Sequence, residues 1–489
     1  MNLEIAKIIQ FIEGGFCDFA GCGVYPKSLH SVGDKKCFSA DLGNRDVIVG
    51  SEFFCFEGEH VSIAGKKWVV GEQTHENAVV LRKMFPFTAP IPVLKNSRTV
   101  GVGDRLGIAT PGHIRVFEEY DAFPVFAQQS IRELNLTKRS FDDVLDCVSF
   151  AVFRENFKRG FGADGDHVKT PDEVEYAINS GYTMITLDCS VHIHNEYLNM
   201  PIEKIHKAYV PNSTLEEKYL NKSFVVGESS ISFLEEDFQR TSLIYNEAID
   251  YAISIYSRYF AGREGAIDFE VSIDETATPT TPAQHFYVAN ELISHGVIPA
   301  TIAPRFTGEF QKGIDYIGDL SAFNADMEIH AAIAKHFKYK ISVHSGSDKF
   351  SVFPSVGKYT DGHFHLKTAG TNWLEAMKIV AIHNPSLYRK IHQFALTKAF
   401  AEARKYYHVT TNLANIPALE TLADAELPTL FENNDARQLI HITYGLILTN
   451  PQFRQLLFDT WRINREEYAE AIHKHIGEHL RLLYGGFGG

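Results

Sequence analysis

The residues best able to do chemistry sit near the ends of short apolar runs. His167 lies near the end of FGADGDHV and His344 ends YKISVH, and carboxylates accompany them: Asp164 and Asp166, Asp188 in YTMITLD, and Glu270 and Asp274 in AIDFEVSIDET. Neutral imidazoles with carboxylates make an open site for a divalent cation, and residue types alone do not choose among Mn²⁺, Zn²⁺, Fe²⁺ and Ni²⁺. Cations gather in comparable places, with Arg305 after VIPATIAP, Lys349 after YKISVHSGSD and Lys367 in HFHLK. Converging on one site, they suit a carboxylate or phosphate substrate. Gln128 and Gln129, which close FPVFAQQ, suit sugar hydroxyls.

Each residue taken singly is as well explained by a buried hydrogen bond or a surface ion pair. The set is not, because so many polar groups are costly to bury without a purpose. The pair His192 and His194 opens a long insertion and reads equally well as solvated loop, while His363 lies at the start of its run, where packing is the better explanation.

The elements that must position these residues follow from the alternation of side chains along a strand. Asp164 and Asp166 share one face, as do Thr186 and Asp188, Asp268, Glu270, Ser272 and Asp274, Ser342 and His344, and His363, His365 and Lys367. Phe269, Val271 and Ile273 take the opposite face, which suits a helical ring. Eight such runs, beginning at Phe123, Phe161, Tyr182, Ala266, Val297, Tyr339, His363 and His408, alternate with helical pattern. The spacing predicts an α/β fold, a TIM-like (β/α)8 barrel with helical insertions, and a doubly wound sheet as the alternative. In such barrels catalytic groups stand at the C-terminal ends of strands. An insertion between Ser190 and Glu235 and a helical tail after about Asp435 take up the extra length.

Residues 1–115 read as a small N-terminal α+β accessory domain, with strand candidates DVIVG, HVSIAG and KWVVG, and residues 116–489 as the catalytic barrel. TVGVGDRLGIATPGHI, from Thr99, fits neither a phosphate-binding nor a dinucleotide loop and reads as a shaped connection between the two. No nucleophile elbow or kinase signature is present.

The chain of 489 residues has 47 Lys and Arg against 61 Asp and Glu, a formal charge of −14, the wrong sign for attraction to nucleic acid or anionic membrane. A small anionic substrate is compatible with that balance. MNLEIAKIIQFIEGG lacks the pattern of a secretory leader, and no apolar run reaches membrane-spanning length, so a cytoplasmic protein is expected. Cys17, Cys22, Cys37 and Cys55 read as buried free thiols.

FAQQS, GFGADGDHVK, FEVSIDETATPT, RFTGEFQKGIDY, YKISVHSGSDKFSVFP and FHLKTAGT together resemble the tagaturonate epimerase family, whose members interconvert D-tagaturonate and D-fructuronate. The likeness runs from GDRLGIATPGH through RQLIHITYG, and the first hundred residues match only loosely. Gly165 departs from the alanine expected there. The resemblance implies a divalent-metal isomerase that inverts one hydroxyl-bearing carbon of a keto-hexuronate. His167 and His344 would correspond to the ligating histidines, and Asp166 and Glu270 to the acid/base carboxylates. We expect Glu309 to complete the metal shell, with Asp188 and Glu275 as competitors. Arg305, Lys349 or Lys367 is expected to hold the substrate carboxylate, and Gln129 its hydroxyls.

The two ketouronates differ at a carbon β to the ketone, whose hydrogen is not appreciably acidic. That favours retro-aldol cleavage and recombination over simple proton exchange. A metal-dependent aldolase or ketose isomerase acting on a related sugar acid would use nearly the same residues, whereas a non-catalytic sugar-acid-binding protein would need no metal.

Overall fold

The structure, a computed structural model, describes residues 3–15, 23–63 and 65–486. Eight parallel strands close into a barrel in chain order: Arg98–Gly101, Phe123–Ser130, Gly162–Val168, Met184–Asp188, Asp268–Ser272, Thr301–Ala303, Lys340–Val343 and Phe364–Lys367. Each pairs with the next, and the last pairs with the first through Phe364 opposite Arg98 and Lys367 opposite Gly101. Closure removes sheet edges and rules out the doubly wound alternative.

Two expectations about the strands change. The first strand lies inside the TVGVG stretch read as a connecting loop, so the barrel begins before residue 115. HVTTNL, expected to be the last strand, is not one. The backbone N–H of Thr410 donates to Gln311 Oε1 at 2.9 Å and the Thr411 hydroxyl to Gln438 Oε1 at 2.8 Å, so side chains satisfy this segment in place of a ladder.

Alternation holds along the fifth strand. Phe269, Val271 and Ile273 are buried against the helical layer, while Glu270 and Ser272 are buried inside. The floor of the barrel is stopped by the chain just before the first strand: Leu94 N–H donates to Asp268 Oδ2 at 2.8 Å, and Lys340 Nζ donates to Asn96 O at 2.6 Å and Thr99 Oγ1 at 2.9 Å. These contacts close the lower end of the barrel beneath the polar interior.

Ahead of the barrel, strands Lys35–Asp41, Asp46–Ser51, Lys66–Glu72 and Glu59–Ile63 form an antiparallel sheet in that spatial order, with His30–Val32 outside the first. The helix His75–Met84 joins this sheet to the barrel helix Phe141–Glu155 through a shared core that includes Phe54, Phe85, Phe150 and Phe153, and through an Arg82–Asp146 ion pair at 2.8 Å. The insertion after the fourth strand contains the hairpin Lys222–Val226/Ser229–Phe233 and leads into the helix Glu235–Tyr259. The C-terminal helix Arg465–Gly485 packs on Thr110–Glu119 and Phe353–Tyr359.

Cys37 is buried as expected, but Cys55 is exposed, because it ends a short helical turn in the left-handed region at φ 57°. Cys17 and Cys22 lie outside the described residues. Among the described residues no helix is long and apolar enough to cross a membrane.

Candidate active site

The site begins with an irregularity. Along the third strand, Asp164 and Gly165 pair with Met184 and Ile185, but the next pair is Val168 with Leu187, so one residue is extra. The bulge places His167 at φ 52°, a left-handed conformation that costs energy for a residue with a side chain. As a result Asp166 and His167, neighbours that a regular strand would point to opposite faces, meet at the barrel mouth with Nδ1 and Oδ1 2.7 Å apart. After the strand, the chain turns quickly into the helix Pro171–Asn179 through a capping box between Thr170 and Glu173.

Behind this pair lies a buried charge cluster. Lys367 Nζ stands 2.8 Å from each of Asp164 Oδ2, Asp166 Oδ1 and Glu270 Oε1, and also donates to Thr186 Oγ1. The Thr186 hydroxyl bridges Asp164 and Glu270, and Thr301 donates to Glu270 Oε2 at 2.5 Å. Burial works against the Lys367 charge, but the three carboxylates outweigh it and hold its pKa well above the ordinary value. Burial likewise raises the Asp166 and Glu270 carboxyls, and Lys367 together with His167 or His344 holds both well below the usual range. Asp164, the deepest of the three, is pushed up to about 6 by burial.

His344 links the cluster to the mouth. Its Nε2 is 2.7 Å from Glu270 Oε1, and its Nδ1 is 3.3 Å from Asp274 Oδ2 without hydrogen-bonding geometry, leaving that nitrogen buried and unpartnered. Burial lowers this imidazole's pKa, but Asp274 and Glu270, one at each nitrogen, raise it to about 10. The donor atoms of His167, Asp274 and His344 all lie within 4.8 Å of one another, and the His167 and His344 rings are 4.9 Å apart between centroids. An orphaned nitrogen facing a carboxylate, a second imidazole beside it and Glu270 orienting the first from behind form a donor set that fits a divalent cation. The local charge agrees, since Asp164, Asp166 and Glu270 share a single lysine and Asp274 faces the His344 imidazole.

The structure brings together His167, His344, Asp166, Glu270 and Lys367, as the residue types led us to expect, but redistributes roles. Asp274 supplies the carboxylate of the group, whereas Glu309 is half-exposed and lies 3.7 Å from His408 Nε2. Asp188 is committed to Ser190 N–H at 2.8 Å and Lys169 Nζ at 3.1 Å, and Glu275 is exposed. Lys349 does not reach a substrate position: it is fully buried and its Nζ donates to the carbonyls of Gln311, Ile314 and Ser347 at 2.9, 2.7 and 2.8 Å. Lys367 is equally committed to its carboxylates. Arg305 is half-buried and donates to Thr276 O.

Gln129 pairs with Gly165, at which a Cβ would meet Ala177 and Ile185 in the helical layer; Gln129 therefore points out of the barrel, where Arg139 Nη1 donates to its Oε1 at 3.3 Å. Gln128 pairs with Asp164 and points in. Its Oε1 is buried without a partner in the space above Gly101, and a Cβ on that glycine would fall on it. His192 and His194 hold Glu247 at 2.8 and 2.7 Å in a separate surface cluster, and His363 is exposed.

The chain was compared with known proteins. The family model described as tagaturonate epimerase matches residues 25–483. A tagaturonate/fructuronate epimerase of Thermotoga maritima is 43% identical over 417 residues, covering 85% of this chain and 86% of that one. Native and glycerol-complexed crystal structures of a fructuronate-tagaturonate epimerase from Cohnella laeviribosi superpose with a TM-score of 0.93 at 46% identity, each covering 99% of both chains. With the barrel, the small N-terminal sheet and a match over nearly the whole length, the chain belongs to the tagaturonate epimerase family and is an isomerase of that type.

Proposed function

We propose that this protein is a cytoplasmic, metal-dependent epimerase that interconverts D-tagaturonate and D-fructuronate by retro-aldol cleavage and recombination. The observation that carries the reading is the unpartnered Nδ1 of His344 set against Asp274 and His167 in a floor-sealed barrel, in a chain of this family. A divalent ion held by His167, Asp274 and His344 would supply positive charge opposite the oxygen anion that develops as the carbon–carbon bond breaks.

The protein's own residues do the rest. Asp166 has its Oδ1 held by both His167 and Lys367, which leaves Oδ2 to take the proton from the hydroxyl on the inverting carbon. That C–O becomes a carbonyl, the adjacent C–C bond breaks, and its electron pair stays on the ketone fragment as an enediolate. The aldehyde fragment turns over, the bond re-forms on its other face, and the proton returns. Glu270, with both oxygens engaged, orients His344 and does not exchange protons. Gln128 offers an unspent acceptor for a substrate hydroxyl.

Incubation with D-tagaturonate and Mn²⁺, Ni²⁺ or Zn²⁺ should yield D-fructuronate, and deuterium on the inverting carbon should be retained. Washout of the label into solvent would replace the cleavage route with direct deprotonation. Accumulation of three-carbon fragments as main products would instead favour an aldolase.

A further inference from the structure

If the substrate is a ketouronate, its carboxylate needs a cation at the barrel mouth, and most of those near it are already committed. Lys367 serves three carboxylates and Lys349 three backbone carbonyls. Arg105 is bonded to Glu133, Arg437 to Asp348 and Lys169 to Asp188, while Arg139 donates to the carbonyls of Asp104 and Asp143. Lys312 differs. It is half-buried in the loop that follows the sixth strand, and among the described residues neither it nor Arg305 of the same loop has an Asp or Glu within ion-pair distance, though Arg305 is tied to Thr276 O. Among the described residues its Nζ has one polar contact, the hydroxyl of Ser345 at 3.2 Å. Ser345 directly follows His344 and holds φ 50°, so a strained residue next to a metal-liganding candidate turns its hydroxyl to an otherwise unpaired ammonium.

We infer that Lys312 is the residue that holds the substrate carboxylate, an inference that rests on the ketouronate reading above. The chemistry fits a single ammonium. In a six-carbon ketouronate cleaved beside the inverting carbon, the carboxylate travels with the three-carbon aldehyde, the fragment that must turn over before the bond re-forms. A bidentate guanidinium clamp would fix that fragment's plane, whereas an ammonium on a flexible stem retains it while it rotates. Arg305, from the same loop, already spends a guanidinium nitrogen on Thr276 O and is the natural control.

The test measures D-tagaturonate binding by calorimetry, in the presence of Mn²⁺, to the wild-type protein and to Lys312→Met, Lys312→Arg and Arg305→Met, with D-tagatose, the neutral analogue that lacks the carboxylate, in parallel. Lys312→Met should weaken D-tagaturonate binding at least about tenfold, leave the D-tagatose response within about twofold, and be largely restored in Lys312→Arg. During turnover it should also release the three-carbon aldehyde acid. Unchanged D-tagaturonate affinity in Lys312→Met, equal loss for both sugars, or a larger loss in Arg305→Met would overturn the assignment. Wild-type binding without epimerisation would refute the proposed function and leave the anchor standing, and no wild-type binding would refute both.

Discussion

Among the described residues, two groups bring an aspartate and two histidines to within 4.8 Å of one another: His167, Asp274 and His344 at the barrel mouth, and Asp348, His475 and His479 where the loop after the seventh strand meets the C-terminal helix. The donor types are the same, and what separates them is how the carboxylate's charge is met. In the second group His479 Nδ1–H donates to His475 O at 2.8 Å, which leaves Nε2 to accept the backbone N–H of Asp348 at 3.1 Å. Asp348 is paired with Arg437 through Oδ2, and its Oδ1, buried without a hydrogen bond, stands 2.8 Å from His475 Nε2. A guanidinium already neutralises the carboxylate, and that guanidinium is itself tied to Gly313 O and Phe431 O. At the mouth, by contrast, His344 Nδ1 makes no hydrogen bond and has only the Asp274 carboxylate at 3.3 Å, while Asp164, Asp166 and Glu270 share one lysine. The first arrangement calls for a cation, and the second is a closed clasp that ties the chain just beyond His344 to the helical tail.

The largest effect that would sharpen this contrast is expected beneath the mouth. Lys367→Met leaves Asp164, Asp166 and Glu270 buried without their counter-charge, and should cost about 3–5 kcal/mol in denaturant unfolding as well as activity. A loss under about 1 kcal/mol would mean the three carboxylates are not held ionised together, since that is the range of a solvent-exposed pair. Asp166→Asn should keep the bound metal and lower kcat by about 10²–10⁴-fold, as removal of a general base does; a fully active variant would take the base role from it. Smaller still, His479→Ala in the clasp removes the acceptor of a buried N–H and should cost about 1–3 kcal/mol of stability with metal content unchanged.

Much of this arrangement was legible in the sequence, because period-two alternation placed Asp164, Asp166, Thr186, Glu270, His344 and Lys367 on one interior face. The first strand was not, since Arg98–Gly101 is four residues long and merges into a glycine-rich stretch without a pattern of its own. HVTTNL has the β-branched composition of a strand, yet side chains of Gln311 and Gln438 meet its polar groups instead. The bulge that brings His167 beside Asp166 leaves no trace in alternation, which would send the two apart. Asp274 lay on the correct face, but nothing in one dimension distinguishes it from Glu309, which the fold leaves half-exposed. Gln129 stands near the end of its strand as expected, but Lys349 lies in the loop beyond its own, which ends at Val343; the outward turn of the first and the backbone carbonyls packed around the second keep both from the site. The clasp was missed because its members lie more than a hundred residues apart, on a loop and a helix.

The proposed distinction between the two groups is whether a divalent metal binds at the first and not the second, and metal stoichiometry of purified wild-type, His344→Ala and His475→Ala proteins measures that directly. The account predicts one equivalent of divalent metal in the wild type, loss of that metal with activity in His344→Ala, and retention in His475→Ala. Full occupancy in His344→Ala, or loss confined to His475→Ala, would contradict it.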